Sequence, residues 1–436
     1  MTQNKQNGSI IAIITMMFLF AMISFVTNLA APIGVIWKNQ PGIEGSNFLG
    51  MMGNMMNFLA YLFMGIPAGK LLTKIGYKKT ALLAIAVGLL GVFTQYLSGI
   101  AGVGAQMFGL PANFYVYLLG AFIAGFSVCM LNTVVNPMLN LLGGGGNKGN
   151  QLIQIGGTCN SLTGTLTPMF VGALIGEVTK DTAITDVNMV LFIAMAVFAV
   201  AFIILSMVPI ADPDADKKKT RIVYERSPWA FRHFVLGSIA IFIYVGVEVG
   251  IPGTLNFFLE NANAGNVGAT VAGFVTGTYW FMMLIGRFLG SMIGAKVSSK
   301  TMLTFASTLG ILLIAGAMIS PVTLKSFMPV FTGSGFALEQ VPLSALLLVL
   351  CGLCTSIMWG GIFNLATEGL GKYTAAGSGI FMMMVVGGGI LPLVQNWVAD
   401  MSTYMISYLV PVAGMAYMLY YALIGSKNVN KDILVD

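Results

Sequence analysis

Long uninterrupted apolar runs constrain this chain more than any other feature of its sequence. They repeatedly reach or exceed about 20 residues, the length that a helix needs to cross a bilayer. Of the 436 residues, 57% are hydrophobic and only 8% are charged, whereas a soluble domain carries about 25% charge. The runs lack the period-2 alternation of a transmembrane barrel, so the backbone inside lipid must be helical. The sequence therefore predicts an all-α polytopic membrane protein.

The distribution of Lys and Arg predicts how the chain is oriented. We expect twelve spans, which begin near Ser9, Asn47, Thr80, Asn113, Leu152, Val187, His233, Val267, Thr301, Leu343, Gly377 and Tyr404. If the N-terminus is cytoplasmic, 18 of the 21 Lys and Arg residues, Arg287 among them, fall on the cytoplasmic side. This positive-inside bias predicts a multi-pass protein of the cell inner (plasma) membrane with both termini in the cytoplasm. It also explains the net charge of +6, so we expect no nucleic-acid partner.

A polar segment divides the predicted spans into two groups of six. We expect an N-terminal six-helix bundle at 1–211, a cytoplasmic linker at 212–230, a second six-helix bundle at 231–425 and a cytoplasmic tail at 426–436. Four residues recur at one constant offset of 221 positions (286 minus 65, for example): Gly65, Gly69, Lys79 and Thr80 reappear as Gly286, Gly290, Lys300 and Thr301. Such a repeat indicates an internal duplication. Duplications are typical of secondary transporters, whose substrate site is expected between the repeats near the middle of the membrane.

The chain lacks the motifs of ATP-driven or metal-dependent proteins. The glycine-rich run at 142–149 does not end in the Lys-Ser/Thr pair of a phosphate-binding loop. His233 is the only histidine, and the four cysteines all lie in apolar runs, which predicts buried thiols and no metal site. We therefore expect neither an enzyme nor a pump, and no cofactor.

Polar side chains inside the apolar runs are candidate substrate ligands. Asn132 and Asn136 are four residues apart in the fourth span, so they share one helix face. The fifth span carries a polar stripe together with Asn160. Hydrogen bonds between helices would account for such groups as well, and both interpretations remain open at this stage.

Several segments carry a family resemblance. They are "LNTVVNP" at 131–137, "GTCNSLTGTLTP" at 157–168, "YVGVEVG" at 244–250, "LIGRFLGS" at 284–291 and the stretch from "SIMWGG" to "GILPL" at 356–393. They resemble the fucose–galactose–glucose:cation symporter family, a branch of the major facilitator superfamily, and the loop "GKLLTKIGYKK" at 69–79 resembles a superfamily loop. The resemblance implies the major facilitator fold, with 12 transmembrane helices as two six-helix bundles. It also implies uptake of a monosaccharide by alternating access, driven by Na⁺ or H⁺.

The sequence departs from the family pattern at two positions where proton-coupled members carry carboxylates. Asn28 and Asn132 stand there, and an amide cannot titrate, so proton coupling through these two positions is excluded. Glu248 is then the only carboxylate near the middle of a span, where a charge costs roughly 2.5–3.5 kcal/mol or more. We expect Glu248 to accept sugar hydroxyls and to couple the cation, by binding a proton or by supplying charge for Na⁺. A purely structural hydrogen bond is the alternative.

The predicted sugar site draws on both halves of the chain. Carboxylates and amides pair with sugar hydroxyls, while aromatic rings stack on the apolar face of the sugar. The candidate ligands are Asn28, Asn132, Asn136, Asn160, Glu248, Asn256, Tyr279, Trp280, Trp359 and Asn364. We expect a hexose such as glucose or galactose as the substrate, lipid as the other partner, and a monomer. The glycines at 387–389 would ease helix bending, although close helix packing also explains them.

Three alternative functions remain. An uncoupled sugar facilitator fits the two lost acids, and a multidrug exporter would favour a larger apolar cavity. A non-transporting sugar sensor would bind sugar without flux, and the short tail from Ser426 counts against it.

Overall fold

The computed structural model describes residues 2–142, 146–176, 178–179, 182–208, 226–293, 297–332, 335–370, 373–430 and 433. Contacts between residues divide the chain into two compact units, Met1–Lys218 and Lys219–Asp436. Most of the predicted linker, at 212–225, lies outside the described residues. The domain limits drawn from the sequence therefore stay a prediction.

Helices account for almost all of the first unit. Its elements are α1 (Thr2–Asn28), α2 (Ala30–Trp37), α3 (Asn47–Gly50), α4 (Met52–Ile75), α5 (Tyr77–Leu97), β1 (Gln106–Met107), β2 (Leu110–Pro111), α6 (Ala112–Leu142), α7 (Gly146–Ile175) and α8 (Asn188–Met207). The strands β1 and β2 form a very short antiparallel hairpin between α5 and α6.

The second unit repeats this plan with a longer hairpin. Its elements are α9 (Arg232–Glu260), α10 (Ala269–Ile293), α11 (Ser299–Ile319), β3 (Lys325–Phe331), β4 (Phe336–Pro342), α12 (Leu343–Thr355), α13 (Met358–Thr367), α14 (Thr374–Met384), α15 (Gly387–Met401), α16 (Tyr404–Ser407) and α17 (Leu409–Tyr420). The antiparallel strands β3 and β4 pair from Lys325–Pro342 to Phe331–Phe336. They connect α11 to α12, as β1 and β2 connect α5 to α6.

The predicted polytopic helical architecture is confirmed. Among the described residues, eleven helical stretches are long and apolar enough to cross a membrane. The helix α7, which contains the fifth predicted span, is not one of the eleven. Its polar stripe lowers its hydropathy, although its 30 residues would cover about 45 Å.

Helix packing and capping contacts recur in the two units, which supports an internal duplication. The pairs α1–α7, α4–α6, α5–α6 and α5–α8 pack in the first unit, and α9–α15, α10–α12, α11–α12 and α11–α17 pack in the corresponding way in the second. At the start of α5, Lys78 donates from Nζ to the carbonyls of Ser206 and Val208, at 2.8 and 2.7 Å. At the start of α11, Lys300 donates to the carbonyl of Leu423 at 3.2 Å. Each lysine satisfies carbonyls that a helix end leaves without intrahelical donors.

Three of the spans are interrupted near predicted functional residues. The first breaks at Leu29, between α1 and α2, because Pro32 has no N–H to donate to the carbonyl of Asn28. Another breaks between α12 and α13, just before Trp359, and a third between α14 and α15, just before Gly387. Interrupted helices expose backbone groups, which transporters use at binding sites.

Gly387 lies where α15 crosses α9 closely. A Cβ at this position would overlap the carbonyl oxygen of Phe242, so only glycine permits the observed approach. Both explanations offered for the glycine run therefore have a structural basis, since the same residues lie at a helix break and at a tight crossing.

Candidate functional site

Glu248 lies at the centre of a polar cluster in the second unit. Its Oε1 accepts a hydrogen bond from the Tyr244 hydroxyl, one turn earlier on α9, at 2.8 Å. The same oxygen is 3.5 Å from Nη2 of Arg287 on α10. The two charged side chains are only 13% and 17% exposed, respectively, so the pair is largely withdrawn from water. A nearby cation and a hydroxyl donor offset much of the cost of keeping a carboxylate inside a helix bundle.

The second carboxylate oxygen of Glu248 is not used in this cluster. No described residue donates a hydrogen bond to Oε2, whereas Oε1 accepts two. An ionised carboxylate offers about four lone-pair sites. Glu248 is thus held in position through one oxygen and keeps the other available for a ligand hydroxyl or a proton.

Two other predicted ligands of the second unit are accessible. Trp359 lies beside this cluster, and Asn364 lies on an exposed face. The ring of Trp359 is 6.2 Å from that of Tyr244 between centroids, and Trp359 is only partly buried. Asn364, on the same helix α13, is exposed, and no described residue bonds its side chain. Both side chains can therefore meet a ligand without breaking an existing hydrogen bond.

The remaining three candidates of this unit are packed between helices. Asn256 donates to Oε1 of Glu260 at 2.9 Å and accepts from the hydroxyl of Thr276 at 3.1 Å, so it links α9 to α10. Tyr279 is fully buried, and its hydroxyl is 2.9 Å from that of Thr355. The ring of Trp280, which is 8% exposed, meets that of Tyr279 edge-on at 5.6 Å. In this conformation these residues satisfy one another, as the helix-packing alternative predicts.

The four asparagines of the first unit are partly buried, and each donates through its amide nitrogen. Asn28 donates to the Ser24 carbonyl at 2.9 Å and Asn136 to the Asn132 carbonyl at 3.0 Å, both within one helix. Asn132 donates to the Tyr61 hydroxyl at 2.7 Å, which joins α6 to α4.

Asn160 donates to the carbonyl of Phe20 at 3.1 Å, which joins α7 to α1. Phe20 is eight residues before Asn28, about 12 Å along the helix. The bond therefore ties α7 to α1 without placing Asn160 directly against Asn28.

The amide oxygens of these four asparagines share one property. No described residue donates a hydrogen bond to any of them: Asn28, Asn132, Asn136 and Asn160 all use their N–H groups alone. Each oxygen is an acceptor with two lone pairs. The first unit thus presents four anchored amides with open acceptor oxygens, which suits a ligand rich in hydroxyl donors.

Two residues of the glutamate cluster escaped the analysis of the sequence. Arg287 was counted among cytoplasmic cations, but the structure places it inside α10, bonded to Glu248. Tyr244 lies four residues before Glu248, a spacing that makes the two side chains neighbours on a helix. The signal was present, because a carboxylate buried in an apolar helix requires a partner. Choosing that partner needed the contact between α9 and α10.

Another pair that sequence reasoning missed lies on α15. Gln395 and Asn396 are 1% and 0% exposed. The amide nitrogen of Asn396 donates to the hydroxyl of Thr254 on α9 at 3.0 Å. Nε2 of Gln395 and Oδ1 of Asn396 have no hydrogen-bond partner among the described residues. These two amides line the α9–α15 interface rather than the cluster around Glu248.

These features define a class of protein: a polytopic helical membrane protein of two related units, with a largely buried ion pair in one of them. Residues 10–393 match the sequence profile of the Major Facilitator Superfamily. This chain belongs to that superfamily, as the resemblance of its motifs implied.

Similar proteins include named sugar transporters. The chain is 32% identical to a glucose/galactose transporter of Brucella abortus, over 85% of this chain and 84% of that one. It is 30% identical to a putative glucose/galactose transporter of Helicobacter pylori, over 97% and 99%. It is 25% identical to the L-fucose-proton symporter of Escherichia coli, over 88% and 85%.

Solved structures confirm the predicted fold. A Major Facilitator Superfamily transporter, FucP, crystallised in the outward conformation, matches with a TM-score of 0.65 at 20% identity, over 96% of this chain and all of that chain. A D-xylose-proton symporter matches with a TM-score of 0.70 at 12% identity, over 96% and 98%.

Proposed function

We propose that this protein is a secondary active transporter that takes up a monosaccharide by alternating access, coupled to a cation gradient. The observation that carries the proposal is the set of open acceptors at predicted positions, namely Oε2 of Glu248 and the amide oxygens of the four asparagines. Sugars present several hydroxyl donors, and acceptors that are already fixed by other bonds lose little entropy on binding.

The substrate class is a neutral hexose such as glucose or galactose. The names of the Brucella and Helicobacter relatives support this class. Trp359 would supply the stacking surface, because it is partly exposed and lies beside the glutamate cluster. Asn364 is proposed as a further hydroxyl contact.

The contacts of Glu248 favour H⁺ over Na⁺ as the coupling ion. A guanidinium 3.5 Å away already offsets the charge of the carboxylate, so a Na⁺ ion would meet repulsion from Arg287 as well as attraction from Glu248. A proton is different, because it binds one carboxylate oxygen and abolishes the ion pair. Protonation of Glu248 would thus release Arg287 and link cation binding to a change in the α9–α10 contact.

The cellular setting is proposed from the sequence. The bias of Lys and Arg favours an inner-membrane protein with both termini in the cytoplasm. We propose a monomer without a cofactor, with substrate and lipid as its partners.

Uptake of radiolabelled glucose and galactose into proteoliposomes tests the proposal. Three conditions are compared, namely an inward H⁺ gradient, an inward Na⁺ gradient and no gradient. The variants are Glu248→Gln and the matched control Glu260→Gln, which changes another glutamate of α9 that also accepts from a side chain one turn earlier. Sugar counterflow, which needs binding and exchange but no gradient, is measured in parallel.

We expect accumulation under the H⁺ gradient, lost in Glu248→Gln and retained in Glu260→Gln. Retained counterflow in Glu248→Gln would assign the residue to coupling alone, whereas lost counterflow would make it a sugar ligand too. Accumulation under Na⁺ only would overturn the choice of ion. Equal downhill flux in all conditions would make the protein a facilitator. Sugar binding without flux would make it a sensor, and export of lipophilic cations without sugar flux would make it a multidrug exporter.

A further inference from the structure

The hairpin strands β3 (Lys325–Phe331) and β4 (Phe336–Pro342) lie along the side of α10 rather than above the helix ends. Near the base of the hairpin, Lys325 donates to the carbonyl of Gly265, in the loop before α10, at 3.4 Å. Near its tip, the N–H of Phe331 donates to the hydroxyl of Thr278, within α10, at 3.0 Å. The ring of Phe331 stacks on that of Phe281 at 4.9 Å. The hairpin therefore runs along the helix, from its first turn towards its middle.

The contacts with α10 give the depth of the hairpin tip. Thr278 is nine residues after Ala269, where α10 begins, which is about 14 Å along the axis. The 25 residues of α10 span about 37 Å, whereas the hydrocarbon core of a bilayer is about 30 Å thick. If α10 is centred in the membrane, Phe331 at the end of β3 lies about 10 Å below the edge of the hydrocarbon.

The hairpin covers the outer face of α10. The opposite face packs on α9, through Thr276 and Arg287. Thr278 and Phe281 continue at helical spacing to Phe288 and Met292, which are 63% and 62% exposed. The hairpin thus covers this face in the first half of α10. In the second half the same face is apolar and exposed.

The surface that the hairpin turns away from the helices is apolar except at its base. Phe327 and Leu338 are 67% and 71% exposed, and Pro329 is also exposed. Phe336 meets the ring of Phe281 on α10 edge-on at 5.5 Å and is still 61% exposed. The exposed polar side chains of this face, Lys325 and Gln340, lie at the end near the loops. Glu339 lies on the opposite face, with Val341, which turns towards the helices.

Part of the backbone edge of β3 is also protected. Phe331 donates its outward N–H to Thr278, and Pro329, two residues earlier on the same edge, has no N–H. Both strands also contact α12. Unsatisfied backbone groups are not tolerated in contact with lipid, and this arrangement removes two of them.

We propose that the strands β3 and β4 are inserted into the bilayer, with Phe327, Pro329, Phe336 and Leu338 in contact with lipid acyl chains. They enter the leaflet on the side of the α9–α10 loop, which is the outer leaflet in the orientation proposed above. The base, with Lys325 and Gln340, lies at the headgroups. The chain thereby gains a lipid-facing β element that braces α10, the helix that carries Arg287.

Spin labels in proteoliposomes of the full chain test this placement. A spin label is attached at Leu338→Cys and, in a separate sample, at Phe327→Cys. For each label the collision rate is measured with O₂, which concentrates in hydrocarbon, and with a neutral nickel chelate, which stays in water. Leu312→Cys, 65% exposed near the middle of α11, provides the lipid reference, and Val103→Cys, 60% exposed in the α5–α6 connection, provides the loop reference. Cys129, Cys351 and Cys354 are buried but Cys159 is partly exposed, so the protein without added cysteine is labelled in parallel to give the background.

We expect the logarithm of the O₂-to-nickel accessibility ratio to be positive at Leu338, as at Leu312, and negative at Val103. A negative value at Leu338 and at Phe327 would place the hairpin in water and overturn the proposal. Spin–spin broadening at Leu338 that disappears on dilution with unlabelled protein would also overturn it, because a second copy would then cover this face. The labelled side chains are exposed, so the substitutions remove little packing.

Discussion

Removal of Arg287 tests whether the ion pair holds Glu248 in place. Two unit charges 3.5 Å apart interact by about 5 kcal/mol at an effective dielectric constant of about 20. Breaking a buried pair by removing one partner costs about 3–5 kcal/mol, whereas an exposed pair contributes about 0–1 kcal/mol. Since 17% and 13% of the two side chains remain exposed and one contact joins them, we expect Arg287→Met to lower the free energy of unfolding by about 3 kcal/mol.

The same change should cost much less when Glu248 is already neutral. In the Glu248→Gln background no charge is left without a partner, so Arg287→Met should cost about 1 kcal/mol or less. The double-mutant cycle then gives a coupling energy of about 2 kcal/mol. The cycle cancels the other contacts that Arg287 makes, provided that they are the same in both backgrounds.

Unfolding by sodium dodecyl sulfate in mixed micelles, followed by circular dichroism, measures the four free energies. Each variant is compared at a fixed detergent composition, and sugar counterflow establishes which variants retain a native site. A coupling energy below about 0.5 kcal/mol, the range of a solvated surface pair, would refute the reasoning. It would mean that water or another residue compensates Glu248 as well as Arg287 does.

Two further predictions use matched pairs within the second unit. Tyr244→Phe removes a hydrogen bond to a carboxylate, which contributes about 1.5–3 kcal/mol to holding that carboxylate in place. The KM for sugar uptake should therefore rise, by roughly 10- to 150-fold at most. Tyr408→Phe removes a hydroxyl bonded to a backbone carbonyl of α9 and should leave KM nearly unchanged; equal effects would count against a positioning role. Gly387→Ala should lower the melting temperature in detergent, because the new Cβ overlaps the carbonyl of Phe242. Gly379→Ala, which meets no atom within 4 Å, should not lower it, and similar melting of both variants would contradict the close crossing.

The sequence was sufficient for features that depend on local composition. Apolar length predicts spanning helices wherever it occurs, and a constant offset between glycine and lysine positions predicts a repeat, which the recurring packing pairs support. Glu248 was recognisable because an isolated carboxylate in an apolar run is costly under any fold.

Tertiary structure decided how the polar residues are shared between binding and packing. The sequence ranks Asn256 and Asn364 as equivalent amides, yet Asn256 bridges α9 and α10 while Asn364 lies on an exposed face. Arg287 stands near the end of an apolar run and counts as a cytoplasmic cation until α9 is placed beside it. The difference depends on which helix faces meet, and hydrophobic periodicity is too weak in all-apolar helices to specify those faces.

What the sequence by itself determined is the class of the protein: membrane-spanning helices in two repeats, with one carboxylate that has to be compensated. These features follow from the free energy of transferring side chains and backbone into lipid. That free energy depends on each residue and not on its distant neighbours. Only the tertiary structure decided that Arg287 compensates Glu248, at the oxygen to which Tyr244 also donates, and that a β-hairpin lies along α10. Both depend on contacts between segments 39 to 53 residues apart, and the free energy of such contacts is defined only once the helices are packed.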